Sequence, residues 1–235
     1  MVKLSKRLKQ VASFVPLGTV VADIGTDHAL LPSFLVQEKI SPSAIAVDIN
    51  EGPIKVAQAQ IRKLLLADKI SVRYGDGLEP IKVGEVQTVV IAGMGGSTIT
   101  KILNKSTQVV AKLQRLILQP NLAADLVRSW AVHNNWKIID EEIIFEDGHF
   151  YEIIVLEPGK MELEDDIYLF LGPKLVEKYH VYLVDYLKNQ KKAEQEILKQ
   201  LEKSNSKEAQ EKSKSIREKW NKIGQVIKCH LDVEI

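Results

Sequence analysis

An open, mostly parallel α/β sheet with a ligand site at its strand ends, followed by a helical tail, is what this 235-residue sequence predicts. Three observations predict it. Short continuous apolar runs, right for buried parallel strands, alternate with segments of helical apolar spacing. Four of those runs end in aspartate or glycine, at Asp23 with Gly25, Asp48, Asp76 with Gly77, and Gly93 to Gly96. After Pro158-Gly159 the chain becomes rich in Lys, Glu and Gln and loses its strand-like runs.

Each element has its own reason. Leu4, Leu8, Val11 and Val15 recur at helical spacing among Lys3, Lys6, Arg7 and Lys9, so Ser5 to Ser13 reads as a basic amphipathic helix stopped by Pro16 and Gly18. Its basic face is either solvated surface or part of an RNA footprint. Val20-Val21-Ala22 opens a buried strand that ends in Asp23, turns through Gly25 and enters an apolar helix reaching about Glu38. Ala44 to Val47 is a second strand, closed by Asp48, Ile49 and Asn50, and Pro53 begins a helix with Ile54, Ala57, Ile61 and Leu64/Leu65 on its apolar side. Ile70 to Tyr74 runs into Gly75-Asp76-Gly77, and Thr88 to Ala92 into Gly93-Met94-Gly95-Gly96. Residues 115–118 form a fifth strand, ending in Gln119-Pro120-Asn121, with a helix around Leu122 to Asn135. Trp136 to Phe145 and Phe150 to Leu156 are β-rich and flank a hairpin signal, Glu146-Asp147-Gly148-His149.

The tail carries two apolar stripes. Val176, Tyr179, Leu183, Tyr186, Gln190, Glu194, Ile197 and Leu201 form one, imperfect at its far end; Ile216, Trp220, Ile223 and Ile227 form the other, after the polar break Ser204-Asn205-Ser206. The pattern predicts an antiparallel α-helical coiled-coil hairpin. The expected domains are therefore 1–159, the sheet, and 160–235, the helical hairpin.

The turn after the first strand selects the ligand. A dinucleotide fold would place G-x-G-x-x-G there, so that amides and a helix N-terminus meet a pyrophosphate. This chain has one glycine and puts Asp27 and His28 where more would stand. A carboxylate repels a pyrophosphate and attracts an amino-acid ammonium or a sulfonium, which points to S-adenosylmethionine. The plain alternative is an ordinary turn with Asp27 as a helix N-cap. Asp48 stands where α/β sheets hold ribose hydroxyls, and Asp76, flanked by glycines, can reach an adenine amino group.

Composition sets limits. A formal charge of +1 excludes a global polycation, so nucleic acid would have to meet a local patch. The single cysteine, Cys229, excludes an internal disulfide framework and a cysteine-based zinc site and suits a reducing compartment. The charged start has no signal-peptide core and no apolar run approaches a membrane span. The expectation is a cytoplasmic monomer without metal or membrane.

Five parallel βα units finished by an antiparallel hairpin, whose last strand inserts beside the fifth, form the Rossmann-like seven-stranded architecture of class I methyltransferases. With LSKRL, VADIGTDHALLP, VDIN, GDGL, IAGMGG, QPN and EDGHFYEI the chain resembles the bacterial TrmK family, tRNA adenine-22 N1-methyltransferases. The resemblance spans residues 4–157 well and the tail more loosely. It implies S-adenosylmethionine as donor and N1 of an adenine in the D-arm region of tRNA as acceptor. It also implies roles. Asp23, Gly25, Asp27 and His28 line the methionine end, and Asp48, Ile49 and Asn50 hold the ribose and edge the adenine. Asp76 and Gly77 meet the adenine amino group. Ala92, Gly93 and Met94 begin the loop where many amino-methylating enzymes carry [D/N]-P-P-[Y/F/W], whose side chains are absent here.

Asp27, His28 and Asn121 are the candidate catalytic residues. Asp27 either stabilises the methylated base or only contacts the cofactor; His28 is read as an orienter rather than a base; Asn121 either touches the target base or caps its helix. Phe145, His149, Phe150 and Tyr151 are read as core and turn residues rather than a stacking platform. Two rival readings compete: an NAD-dependent oxidoreductase, opposed by the missing glycines and Asp27, and a non-catalytic RNA- or protein-binding adaptor, opposed by the retention of all four strand-end motifs.

Overall fold

The computed structural model describes residues 2–204 and 206–232, and the chain divides into two units, Met1–Glu162 and Leu163–Ile235. In the first unit the strands are β1 (Val21–Ile24), β2 (Ala44–Asp48), β3 (Ile70–Tyr74), β4 (Thr88–Gly95), β5 (Arg115–Leu122), β6 (Trp136–Glu146) and β7 (His149–Pro158). They form one seven-stranded sheet in the order β3-β2-β1-β4-β5-β7-β6. The first five pair in parallel; β7 runs antiparallel between β5 and β6, the insertion expected of the hairpin.

Six helices cover the sheet: α1 (Lys6–Ser13), α2 (Leu30–Gln37), α3 (Glu51–Lys63), α4 (Gly96–Lys105), α5 (Thr107–Val110) and α6 (Ala124–His133). Successive strand residues face opposite sides, and the two sides carry separate cores. Ala22, Ile24, Val89, Ile91, Leu116 and Leu118 pack with Ile99 and Leu103 of α4 and Val127 and Trp130 of α6. Val21, Val90, Ile117 and Val155 pack with Val11 of α1 and Leu31 and Leu35 of α2. Both faces being covered is why these strands read as unbroken apolar runs. The Ser5 hydroxyl caps α1 by accepting from the Leu8 N–H at 3.2 Å.

Three differences from the sequence reading have physical causes. β4 and β5 run on through their loops, with Met94 opposite Pro120 and Gly95 opposite Leu122 across bulges, because the two loops pair with each other. Helix α4 opens where the sequence pattern reads as a glycine loop. It begins at Gly96, where a Cβ would stand 2.1 Å from the Ala123 carbonyl oxygen, so only glycine lets the helix start pass under that turn. Finally, α6 and the hairpin are joined by charge: Arg128, wholly buried on α6, pairs with Glu141 of β6 at 2.5 Å and with Glu152 of β7. Removing one member of such a buried ion set costs about 3–5 kcal/mol, because the others lose their partner in a dry interior.

The second unit contains α7 (Ile167–Leu171), α8 (Pro173–Glu177), α9 (Leu183–Leu201) and α10 (Lys207–Leu231). The stripe expected from Val176 onward is interrupted: Tyr179 is exposed at φ 51°, so Val176 belongs to α8 and α9 starts afresh at Leu183. The expected turn residue Asn205 lies outside the described residues. Helices α9 and α10 meet through Glu194, which accepts from the Trp220 indole at 2.9 Å and pairs with Lys219, and through Arg217 to Glu202 at 2.6 Å. Among the described residues no helix is long and apolar enough to cross a membrane.

Candidate functional site

The carboxyl ends of β1 to β5 are laced together by backbone and side-chain hydrogen bonds. The Gly25 and Thr26 N–H groups both donate to the Val47 carbonyl at 2.9 Å, and Gly75 N–H donates to the Asp48 carbonyl at 3.0 Å. The Asn121 side-chain amide donates to the Gly93 carbonyl at 2.9 Å. Gly25 sits at φ +73°, and the space a Cβ would fill there is taken by the Met94 methyl group, 2.2 Å from that position. That contact joins the ends of β1 and β4, and only glycine leaves room for it.

Around Gly25 the acids gather. Asp23 is buried, and its Oδ2 accepts from the Thr26 hydroxyl at 2.6 Å. Burial pushes its pKa up to about 6; the Thr26 bond opposes this, while the nearby Asp27 and Asp48 carboxylates push it further up. Asp48 is also buried, its Oδ1 accepting the Asn50 N–H at 2.7 Å. Beside it Ile49 is 52% exposed, an apolar side chain left facing outward at the end of a buried strand. Asn50 begins α3 without a side-chain cap.

Asp27 is not the N-cap of α2. That place is held by Ala29 at φ 51° with no side-chain bond, and His28 before it sits at φ 55°. Two successive non-glycine residues in the left-handed region cost about 1–3 kcal/mol each, the kind of strain that clusters in functional turns. The strain presents both side chains outward: Asp27 Oδ1 meets His28 Nε2 at 3.1 Å, with Asp27 80% and His28 55% exposed. Asp76 Oδ2 is held by Lys105 of α4 at 2.9 Å, with Glu79 on the same ammonium at 2.7 Å, and Gly77 is buried against Ile102 of α4.

Ala92, Gly93 and Met94 line the end of β4, and Asn121 the end of β5. Asn121 does not cap α6: one of its amide hydrogens goes to Gly93, and α6 has no side-chain cap. Its Oδ1 in turn accepts from Gln119 Nε2 at 3.0 Å, and the Gln119 Oε1, wholly buried, accepts from the Arg7 guanidinium. The same guanidinium lies 5.2 Å from the centre of the Tyr151 ring, while Glu146 accepts from the Lys6 and Arg7 N–H groups at 2.5 and 3.2 Å. The sequence signalled Arg7 only through LSKRL and Gln119 only as the polar residue closing an apolar run. The four hairpin residues are not core: Phe145 and His149 are exposed and Phe150 and Tyr151 half-buried, because the hairpin tip extends past the last residue of β5 paired to it.

The chain is similar to known methyltransferases. Residues 4–154 match the family model for a methyltransferase domain. A Bacillus subtilis tRNA (adenine(22)-N(1))-methyltransferase is 44% identical over 187 residues, covering 77% of this chain and 79% of that protein. The crystal structure of the B. subtilis M1A22 tRNA methyltransferase TrmK superposes with a TM-score of 0.89 at 37% identity, over 97% of this chain and 100% of that one. The M. capricolum TrmK structure, in complex with the cofactor product S-adenosyl-homocysteine, superposes at 0.78 with 34% identity, over 92% and 96% of the two chains.

Proposed function

The chain belongs to the TrmK family of tRNA (adenine(22)-N(1))-methyltransferases, and from that premise we propose that it moves a methyl group from S-adenosylmethionine to N1 of an adenine in the D-arm region of tRNA. The observation that carries the reading is the anionic turn at Gly25, where Asp27 and Asp48 both stand close enough to raise the pKa of Asp23. Such a turn favours a ligand with a cationic end and disfavours a pyrophosphate, against the NAD reading.

The residues present fit that cofactor. Asp23, Gly25, Asp27 and His28 take the methionine end. Asp48 accepts from the ribose hydroxyls, and Ile49 and Asn50 edge the adenine. Asp76 offers Oδ1 to the adenine amino group, its Oδ2 being held by Lys105, and Gly77 with Ala92 to Met94 closes the remaining side. When bound, S-adenosylmethionine supplies a methyl group activated by its sulfonium.

The target needs no base. Neutral adenine N1 already has an in-plane lone pair, so the chain's task is to admit the extruded ring and align it. The glycine loop of β4 leaves room for that ring, and Asn121 at its edge offers an amide to the base. As N1 takes the methyl group, positive charge appears on the purine, and in this reading the exposed Asp27 carboxylate stabilises it. His28, bonded to Asp27, orients that carboxylate.

The sheet, 1–159, is the methyltransferase domain. The helices of 160–235 serve as an RNA-binding aid: between α9 and α10 lies a groove of about 600 Å³ lined by Lys191, Arg217, Trp220 and Lys228. The reducing cytoplasm suits a chain whose one cysteine, Cys229, is free and exposed. Transfer of labelled methyl groups to bulk tRNA, followed by digestion to nucleosides, tests the reading. It predicts 1-methyladenosine; label in another nucleoside, or none, overturns it.

A further inference from the structure

Resting on the assignment of Asn121 to the target base, we infer that Arg7 is a positioning residue that fixes which way the Asn121 amide faces. A guanidinium has donors and no acceptor. The buried Gln119 side chain must therefore turn its oxygen to Arg7 and its NH2 group to Asn121, whose Oδ1 lies 3.0 Å away. Asn121 must then turn its own NH2 group to the Gly93 carbonyl, at 2.9 Å. Every bond in this chain donates in one direction, and the direction is set by a cation 112 residues away in sequence.

Arg7 is itself held. Its guanidinium sits over Tyr151, and its backbone N–H is bound by Glu146 of the hairpin. Once the chain is complete, Asn121 has one N–H and one lone pair left on an exposed side chain at the strand ends. A donor and an acceptor on one amide match the N7 acceptor and N6 amino donor of adenine, the pairing Asn and Gln make with that base. Reading that edge leaves N1 open to the methyl group. A flipped amide would set donor against donor and acceptor against acceptor. Presentation of the base thus depends on the charge at position 7, acting through Gln119 and Asn121.

Steady-state kinetics on transcribed tRNA with Arg7→Met, Arg7→Lys, Gln119→Glu and Asn121→Ala test this. Arg7→Met keeps the apolar stem over Tyr151 and removes the donors. Losing a hydrogen bond to a charged group predicts a kcat about 10- to 100-fold lower, with donor affinity and KM for tRNA within about twofold of wild type. Arg7→Lys, still a pure donor, recovers most of the rate. Gln119→Glu keeps the bond to Arg7 but cannot donate to Asn121, so it lowers kcat like Arg7→Met. It also covers the case in which Arg7→Met fails to fold. In an Asn121→Ala background Arg7→Met should have no further effect on kcat. A raised KM with normal kcat, losses that multiply in the double variant, or full activity in Gln119→Glu overturns the inference. A wild-type protein that binds the donor and leaves tRNA adenine unmodified overturns instead the reading it rests on.

Discussion

The proposed place of Asp23 at the donor site predicts that donor binding depends on pH. Its carboxyl is pushed up to about 6, first by burial and then by Asp27 and Asp48, against the Thr26 hydroxyl bond. A donor with a cationic end favours the ionised form, so binding releases the Asp23 proton. At pH 5 about one Asp23 in eleven is ionised, and at pH 7.5 nearly all are. Donor affinity should therefore fall about tenfold between those values, or about 1.4 kcal/mol. Asp23→Asn should flatten that dependence. Stability runs the other way. A carboxyl whose folded pKa exceeds its unfolded value of 3.8 contributes stability present below about pH 4 and lost as pH rises through about 6. Asp23→Asn should thus stabilise the donor-free protein at pH 7.5, by up to about 3 kcal/mol. Calorimetry in two buffers of different ionisation enthalpy reads both affinity and proton release. A pH-independent affinity in wild type, or the same slope in Asp23→Asn, would refute the reasoning.

Three further outcomes are expected. Asp48→Ala removes a buried acceptor for ribose hydroxyls and should weaken donor binding about ten- to a hundredfold, since such bonds contribute about 1.5–3 kcal/mol; unchanged calorimetric affinity would sink the assignment. Asp27→Asn should lower the single-turnover rate about 10²- to 10³-fold, more than it weakens donor binding, because the purine charge arises only toward the transition state. A normal saturated rate would reduce Asp27 to a cofactor contact. Truncation after Glu162 should preserve donor binding while weakening tRNA binding and reducing its salt slope; identical affinity and slope would dismiss the helical unit as an RNA-binding aid.

The strands were legible because central parallel strands are dry on both faces, as the uninterrupted burial of β1 and β2 shows. Their ends were legible because Asp and Gly, the residues turns favour, follow apolar runs where the chain leaves the sheet. What escaped notice depends on distance. Nothing near Arg7 announces Gln119, and nothing near Arg128 announces Glu141 and Glu152, although a charge at helical spacing from Ala124, Val127 and Ala131 was a signal. Helix α4 escaped because Gly96 reads as loop until the Ala123 carbonyl lies against it. The break at Tyr179 escaped because an apolar stripe continues across it in sequence while the backbone turns left-handed. Asp27 was legible as an acid in the turn after β1, yet its exposure follows from the strained backbone at His28 and Ala29, which the sequence does not display.

Mapping the modified base by reverse transcription of one tRNA tests the central claim most directly, since a methyl group on N1 blocks the pairing edge and halts the polymerase. Purified protein with S-adenosylmethionine should produce a single new stop, at adenine 22 in the D-arm region, absent without donor and absent when that adenine is replaced. A stop elsewhere, or methyl incorporation without any stop, would contradict it.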